Sequence, residues 1–111
     1  MHLKLLWKNK IKVMAELEIL NIKINEDYTI DLVGMENSGY SWVRDNETTD
    51  IVEITHQYIV PTNLVPGAKG TERFTFKGTK TGVVTIEFKQ IRSWDKDQPP
   101  IAIRTFQIKV I

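Results

Sequence analysis

Glu72-Arg73-Phe74-Thr75-Phe76-Lys77-Gly78-Thr79-Lys80-Thr81-Gly82-Val83-Val84-Thr85-Ile86-Glu87-Phe88-Lys89 is the stretch that decides the fold. Phe74 and Phe76 alternate with Arg73, Thr75 and Lys77. After a Gly-Thr-Lys-Thr-Gly turn, Val84, Ile86 and Phe88 alternate with Thr85, Glu87 and Lys89. A period of two puts one set of side chains on a single face of an extended chain, and β-branched and aromatic residues suit that pleated surface. The segment therefore reads as strand, turn, strand, each strand with one apolar face.

The same pattern extends outward. Downstream, Arg92 to Pro100 is a polar loop carrying Trp94 and Pro99-Pro100, and a last strand follows with Phe106, Ile108 and Val110 inward. Upstream, residues 61–71 form the longest loop, whose prolines and glycines rule out a helix. Before it come an extended piece from His56 to Val60, a short strand from Ile51 to Ile54, and a polar connection over 44–50. Tyr40, Trp42 and Val43 start another strand. Tyr28, Ile30 and Leu32 alternate in one more, preceded by an Asn25-Glu26-Asp27 turn and by Ile22 and Ile24.

No helical period of convincing length follows residue 20. Strands at 19–25, 28–33, 40–44, 56–60, 72–77, 83–91 and 103–111 predict an all-β protein, an antiparallel β-sandwich of seven or eight strands. Its expected core is Ile22, Ile24, Ile30, Leu32, Trp42, Phe74, Phe76, Val84, Ile86, Phe88, Phe106, Ile108 and Val110. Residues 1–14 fit neither period. Leu17 and Ile19, then Ile22 and Ile24, suggest a strand beginning near Glu16 with an irregularity at Leu20-Asn21. Residues 1–18 are thus an N-terminal extension and candidate first strand, and 19–111 a single domain. Met14-Ala15 is a candidate internal start.

Composition narrows the function. A chain of 111 residues, 41% hydrophobic and 26% charged, suits one globular domain. Fifteen basic against fourteen acidic residues leave a formal charge of +1, which argues against a nucleic-acid footprint. Lys4, Lys8, Lys10 and Lys12 read as a solvated end. There is no cysteine, so disulfides and thiolate chemistry are excluded and redox compartment is not legible. No apolar run reaches the ~18 residues of a membrane-spanning helix. Lysines interrupt any candidate signal sequence, which makes a cytoplasmic location the default expectation.

Enzyme readings fare poorly. His2 is terminal and His56 has no acidic neighbour at a telling spacing. Ser38 and Ser41 lack a nucleophile elbow, and there is no phosphate-cradling glycine loop before a helix. Asp95/Asp97 and Glu26/Asp27 read as turn residues. No catalytic residue, cofactor or metal is expected. What remains is three loops, 34–40, 64–71 and 91–100, which emerge together at one end of an antiparallel sandwich. That end carries glycines for close backbone approach, a guanidinium and an indole. Arg and Trp are frequent anchors of protein interfaces.

The three loops, Asn37-Ser38-Gly39-Tyr40-Ser41-Trp42, Gly67-Ala68-Lys69-Gly70-Thr71-Glu72 and Arg92-Ser93-Trp94, resemble in order and spacing those of the chagasin family of cysteine-protease inhibitors. The family's motifs there are N-P-T-T-G-[YF]-x-W, G-x-G-G and R-P-W. The resemblance spans roughly residues 19–111. It departs at Met35-Glu36 in place of Asn-Pro, at Asn37-Ser38 in place of Thr-Thr, at Lys69 in place of a glycine and at Ser93 in place of proline. Without the proline, the first loop is expected to be less pre-organised and its binding weaker. Lys69 needs more room than glycine and is expected to narrow the range of targets.

The resemblance implies an immunoglobulin-like sandwich that reversibly blocks a papain-like cysteine protease. Asn37, Ser38 and Gly39 would enter the catalytic groove, with Tyr40 beside them among the protease-binding residues. Gly67, Ala68, Lys69 and Gly70 would run along the substrate side through backbone contacts, and Arg92 and Trp94 would grip the other side. Gly39 and Trp42 would hold the first loop from behind. The implied partner is a protease, with neither nucleic acid nor membrane involved, and the inhibitor is expected to act as a monomer. The alternative is an immunoglobulin-like adhesion or carbohydrate-binding module. Aromatics spread along a sheet face, among Trp7, Tyr28, Tyr58 and Trp94, would favour sugar; a single Trp at the loop end would favour a protease.

Overall fold

A computed structural model of the chain has eight strands among its described residues, most of them marked by alternating β-branched and aromatic residues. It describes residues 3–8, 11–35, 38–45, 49–62, 68–95 and 97–111, with backbone alone over 3–16. The strands are β1 (Leu3–Lys8), β2 (Ile11–Ile22), β3 (Asp27–Val33), β4 (Ser41–Arg44), β5 (Val52–Ile59), β6 (Thr71–Gly78), β7 (Gly82–Ile91) and β8 (Ala102–Val110). One sheet has the order β1-β2-β8-β7-β4 and the other β3-β6-β5. The two runs of residues 72–89 are indeed strands, but the Gly78–Gly82 turn carries the chain from one sheet to the other.

The expected all-β sandwich is present. Within it, β2 pairs parallel with β8, while the other ladders among the described residues are antiparallel. Strand direction leaves no mark on a period of two, and strands distant in sequence need no tight turn to pair.

Three local expectations change. First, β2 runs without irregularity, in unbroken register with β8 from Ala15↔Ile103 to Ile22↔Val110. Among its described side chains Leu20 and Ile22 are buried, and Ile19 is exposed. Second, the pieces at 51–54 and 56–60 form one strand, β5, which pairs with β6 from Val52↔Gly78 to Ile59↔Thr71. Polar His56 occupies an inward-parity position and hides the continuity. Third, Ile24 lies beyond the end of β2 and is exposed, and Val84 is half-buried. Leu20, Val52 and Ile103 join the buried set instead. Asn25, in the predicted turn, takes φ 68°, a conformation that asparagine tolerates better than most residues.

Between the sheets, Phe88 packs against Phe74, Phe76 and Phe106 with centroid separations of 4.5, 6.2 and 5.7 Å and tilted or edge-on rings. Phe76, Phe88 and Phe106 are fully enclosed. Each such side chain contributes roughly 1.5–3 kcal/mol by burial, and tilted ring pairs add to it. This aromatic centre is the rigid base from which three loops rise.

Candidate functional site

The β3–β4, β5–β6 and β7–β8 loops meet at one end of the sandwich, with the β3–β4 loop in the middle. On one side, the Gly34 amide donates to the Gly70 carbonyl at 2.9 Å. On the other, Arg92 Nε donates to the Ser38 carbonyl at 2.9 Å. The predicted clustering of the loops follows from topology: β3, β5 and β7 all run toward the same end.

In the middle loop two backbone amides converge on Met35. The Met35 carbonyl accepts from the Ser38 amide at 3.0 Å and the Tyr40 amide at 3.2 Å. Gly39 completes the turn at φ 80°, where a side chain is strained. Tyr40 faces the third loop, and the Arg92 guanidinium lies 4.4 Å above its ring, within cation–π range. Trp94 is 71% exposed and rests on Gly39. A Cβ placed on Gly39 would fall 2.4 Å from indole Cη2.

In the second loop, Ala68 is half-buried, Lys69 exposed and Gly70 buried. Tyr58 packs against Gly70 so closely that a Cβ there would lie 2.2 Å from the hydroxyl oxygen. The structure thus brings Ser38, Gly39, Tyr40, Ala68, Lys69, Gly70, Arg92 and Trp94 to one end. Asn37 and Gly67 lie outside the described residues.

Beneath the loops is a buried polar layer. Trp42, 7% exposed, donates its indole N–H to the Val33 carbonyl at 2.9 Å. The same carbonyl accepts from Gln90 Nε2 at 3.1 Å. The Trp42 amide donates to the Glu72 carboxylate, at 3.1 Å to Oε2. His56 Nε2 lies 3.0 Å from Glu72 Oε1, and its ring stacks on Phe74 at 4.4 Å. His56 therefore does have an acidic neighbour, across the β5–β6 ladder, where sequence spacing gives no hint of it. Sequence reasoning also misses the burial of Glu72 and Gln90. The signal that could reveal it is phase: Glu72 alternates with Phe74 and Phe76, and Gln90 with Ile86 and Phe88. Among the described residues, no cluster of His, Asp and Glu could hold a metal ion.

The site offers hydrogen-bonding backbone, an exposed indole and a guanidinium on a rigid base. That is equipment for contact with another macromolecule. The model of the chagasin family of peptidase inhibitors, I42, matches residues 21–110. The chain belongs to this family. A sequence comparison with curated proteins finds no match.

Solved structures share the chagasin-type fold. The cysteine protease inhibitor EhICP2 from Entamoeba histolytica superposes with TM-score 0.68 at 21% identity, over 87% of this chain and 95% of that one. Amebosin gives 0.64 at 25% identity, over 87% and 96%. PbICP-C, in a structure of its complex with falcipain-2, gives 0.71 at 16% identity, over 89% and 91%.

Proposed function

We propose that this chagasin-family chain is a reversible, tight-binding inhibitor of papain-like cysteine proteases and that it fills the active-site cleft with its three loops. Ser38, Gly39 and Tyr40 form the central finger. Ala68, Lys69 and Gly70 flank it on the substrate side, and Arg92 and Trp94 flank it on the other. Asn37 and Gly67 are assigned to the same contact by their place in the sequence alone. The observation that carries this reading is the cross-bracing of the loops by Gly34–Gly70, Ser38–Arg92 and Gly39–Trp94. Loops already held together lose little conformational freedom on binding, which favours high affinity. PbICP-C, of the same fold, is seen bound to falcipain-2, and EhICP2 is named a cysteine protease inhibitor.

The aromatic residues do not support the sugar-binding alternative. Trp94 stands at the loop end. Tyr58 lies beside Gly70 at that same end, whereas Tyr28 pairs with Phe76 toward the other end of the sandwich, so these three make no stacking row; the Trp7 side chain lies outside the described residues. The test is titration of papain and a cathepsin-L-like protease with the purified protein. Inhibition on the order of nanomolar, about −12 kcal/mol, is expected. Unchanged activity of both enzymes at micromolar protein would refute the proposal.

A further inference from the structure

Glu72 is a buried carboxylate in an interior whose other buried polar side chain, among the described residues, is the neutral Gln90. It is 3% exposed and shares its face of β6 with Phe74 and Phe76. Burying a carboxylate costs several kcal/mol unless it is paired and hydrogen-bonded. A hydrophobic side chain of similar volume at such a site is often equally or more stabilising. The presence of an acid here therefore asks what its partners accomplish.

Each partner stands near the root of a loop. Glu72 itself follows Gly70 by two residues, at the exit of the β5–β6 loop. His56 lies on the strand that enters that loop. Trp42 stands at the exit of the β3–β4 loop, on the last strand of its sheet. The Trp42 amide turns away from β7 and has no neighbouring strand to bond, so the Glu72 carboxylate of the facing sheet accepts it. The Trp42 indole is tied in turn to the Val33 carbonyl, at the entry of the β3–β4 loop. Fixing the Trp42 backbone from below therefore fixes both ends of the central finger.

We infer that Glu72 is a positioning residue of the inhibitory edge. Its carboxylate holds the Trp42 amide and the His56 imidazole, and so sets the β3–β4 loop in register with the β5–β6 loop. The effect on inhibition rests on the proposed function; the effect on loop order does not.

The experiment compares wild type, Glu72→Leu and Glu72→Gln by amide hydrogen exchange and by inhibition of papain. In Glu72→Leu, exchange at the Gly34, Ser38 and Tyr40 amides should accelerate about tenfold or more, with β7–β8 amides unchanged, because only local opening is made easier. Inhibition should weaken about tenfold or more. Glu72→Gln keeps an oxygen acceptor for the Trp42 amide and should restore both readings to within about threefold. Should Glu72→Leu fail to fold, Glu72→Met takes its place with the same two readings, since its unbranched side chain follows the path of the glutamate and removes the carboxylate that accepts the Trp42 amide. Unchanged exchange at the three loop amides, or equal acceleration throughout β7 and β8, overturns the inference. If wild type inhibits no papain-like protease, the proposed function fails and the exchange measurement alone decides the role of Glu72.

Discussion

Gly39 and Trp94 occupy one space: a Cβ on the glycine would sit 2.4 Å from Cη2 and 2.8 Å from Cζ2 of the indole. The missing side chain is what lets the β7–β8 loop lie down on the β3–β4 loop. Without it, the indole rests on bare backbone while the rest of its surface faces solvent. One residue thus meets two demands, a left-handed turn at φ 80° and a seat for the exposed aromatic.

Gly39→Ala should violate both demands. The left-handed conformation costs the alanine roughly 1–2 kcal/mol, and its methyl displaces the indole. Thermal melts should show a destabilisation of about that size. Inhibition of papain should weaken by about tenfold or more, since Trp94 loses its seat. A folded Gly39→Ala protein that inhibits like wild type would show that the Gly39–Trp94 contact is irrelevant to binding.

Trp94→Ala separates binding from folding. With 71% of its surface exposed, Trp94 adds little to the core, and its removal should shift stability by no more than about 0.5 kcal/mol. As an interface anchor it should cost inhibition about 2 kcal/mol or more. Paired measurement of melting temperature and inhibition constant checks both halves. An unchanged inhibition constant in the folded variant would remove the β7–β8 loop from the grip.

The sandwich was legible because alternation at Phe74/Phe76, Ile86/Phe88 and Phe106/Ile108 states the strands and their inner faces without help from context. The three loops were legible because glycine, proline and polar runs punctuate those strands. Other features depend on partners far away in sequence. The inward frame of β2 follows from its parallel register with β8, which selects Leu20 over Ile19. The burial of Glu72 and Gln90 depends on acceptors and donors at Trp42, His56 and Val33, and a polar letter in an apolar phase gives no sign that such partners exist. Likewise, only the folded chain shows Tyr58 closing on Gly70.

Acid should weaken one surface interaction in a predictable direction. Asp31 and Arg73 face each other across β3 and β6. Arg73 donates to both carboxylate oxygens, from Nε at 2.8 Å and Nη2 at 3.0 Å. These hydrogen bonds, with the guanidinium charge, hold the Asp31 carboxyl below the usual carboxylate range. A carboxyl group with a lowered pKa in the fold adds stability above its unfolded pKa, and the contribution is lost as pH falls through the folded one. The pair is exposed, so the effect is small and screened by salt. The melting-temperature difference between wild type and Asp31→Asn should be present at neutral pH and shrink as pH falls through the folded pKa of Asp31. A difference that stays constant over that range would mean the pair contributes nothing through its charge.

Arg92→Lys tests whether the guanidinium matters for more than its charge. Arg92 uses Nε to hold the Ser38 carbonyl at 2.9 Å while its Cζ lies 4.4 Å from the centre of the Tyr40 ring. An ammonium at the end of a flexible stem cannot keep both interactions, because it has neither the planar face nor the fixed fork of donors. The hydrogen bond to Ser38 and the cation–π stack on Tyr40 are each worth about 0.5–1.5 kcal/mol. The central finger should therefore loosen although net charge is unchanged. The expected result is inhibition weakened about fivefold to tenfold, chiefly through faster dissociation, as is usual for changes within one interface, with the melting temperature lowered by the loss of these two intramolecular contacts. Stopped-flow association and dissociation rates against papain read this directly. A Lys substitution with wild-type dissociation would show that Arg92 acts through charge alone, and that the Ser38–Arg92–Tyr40 brace does not set the geometry of the loop edge.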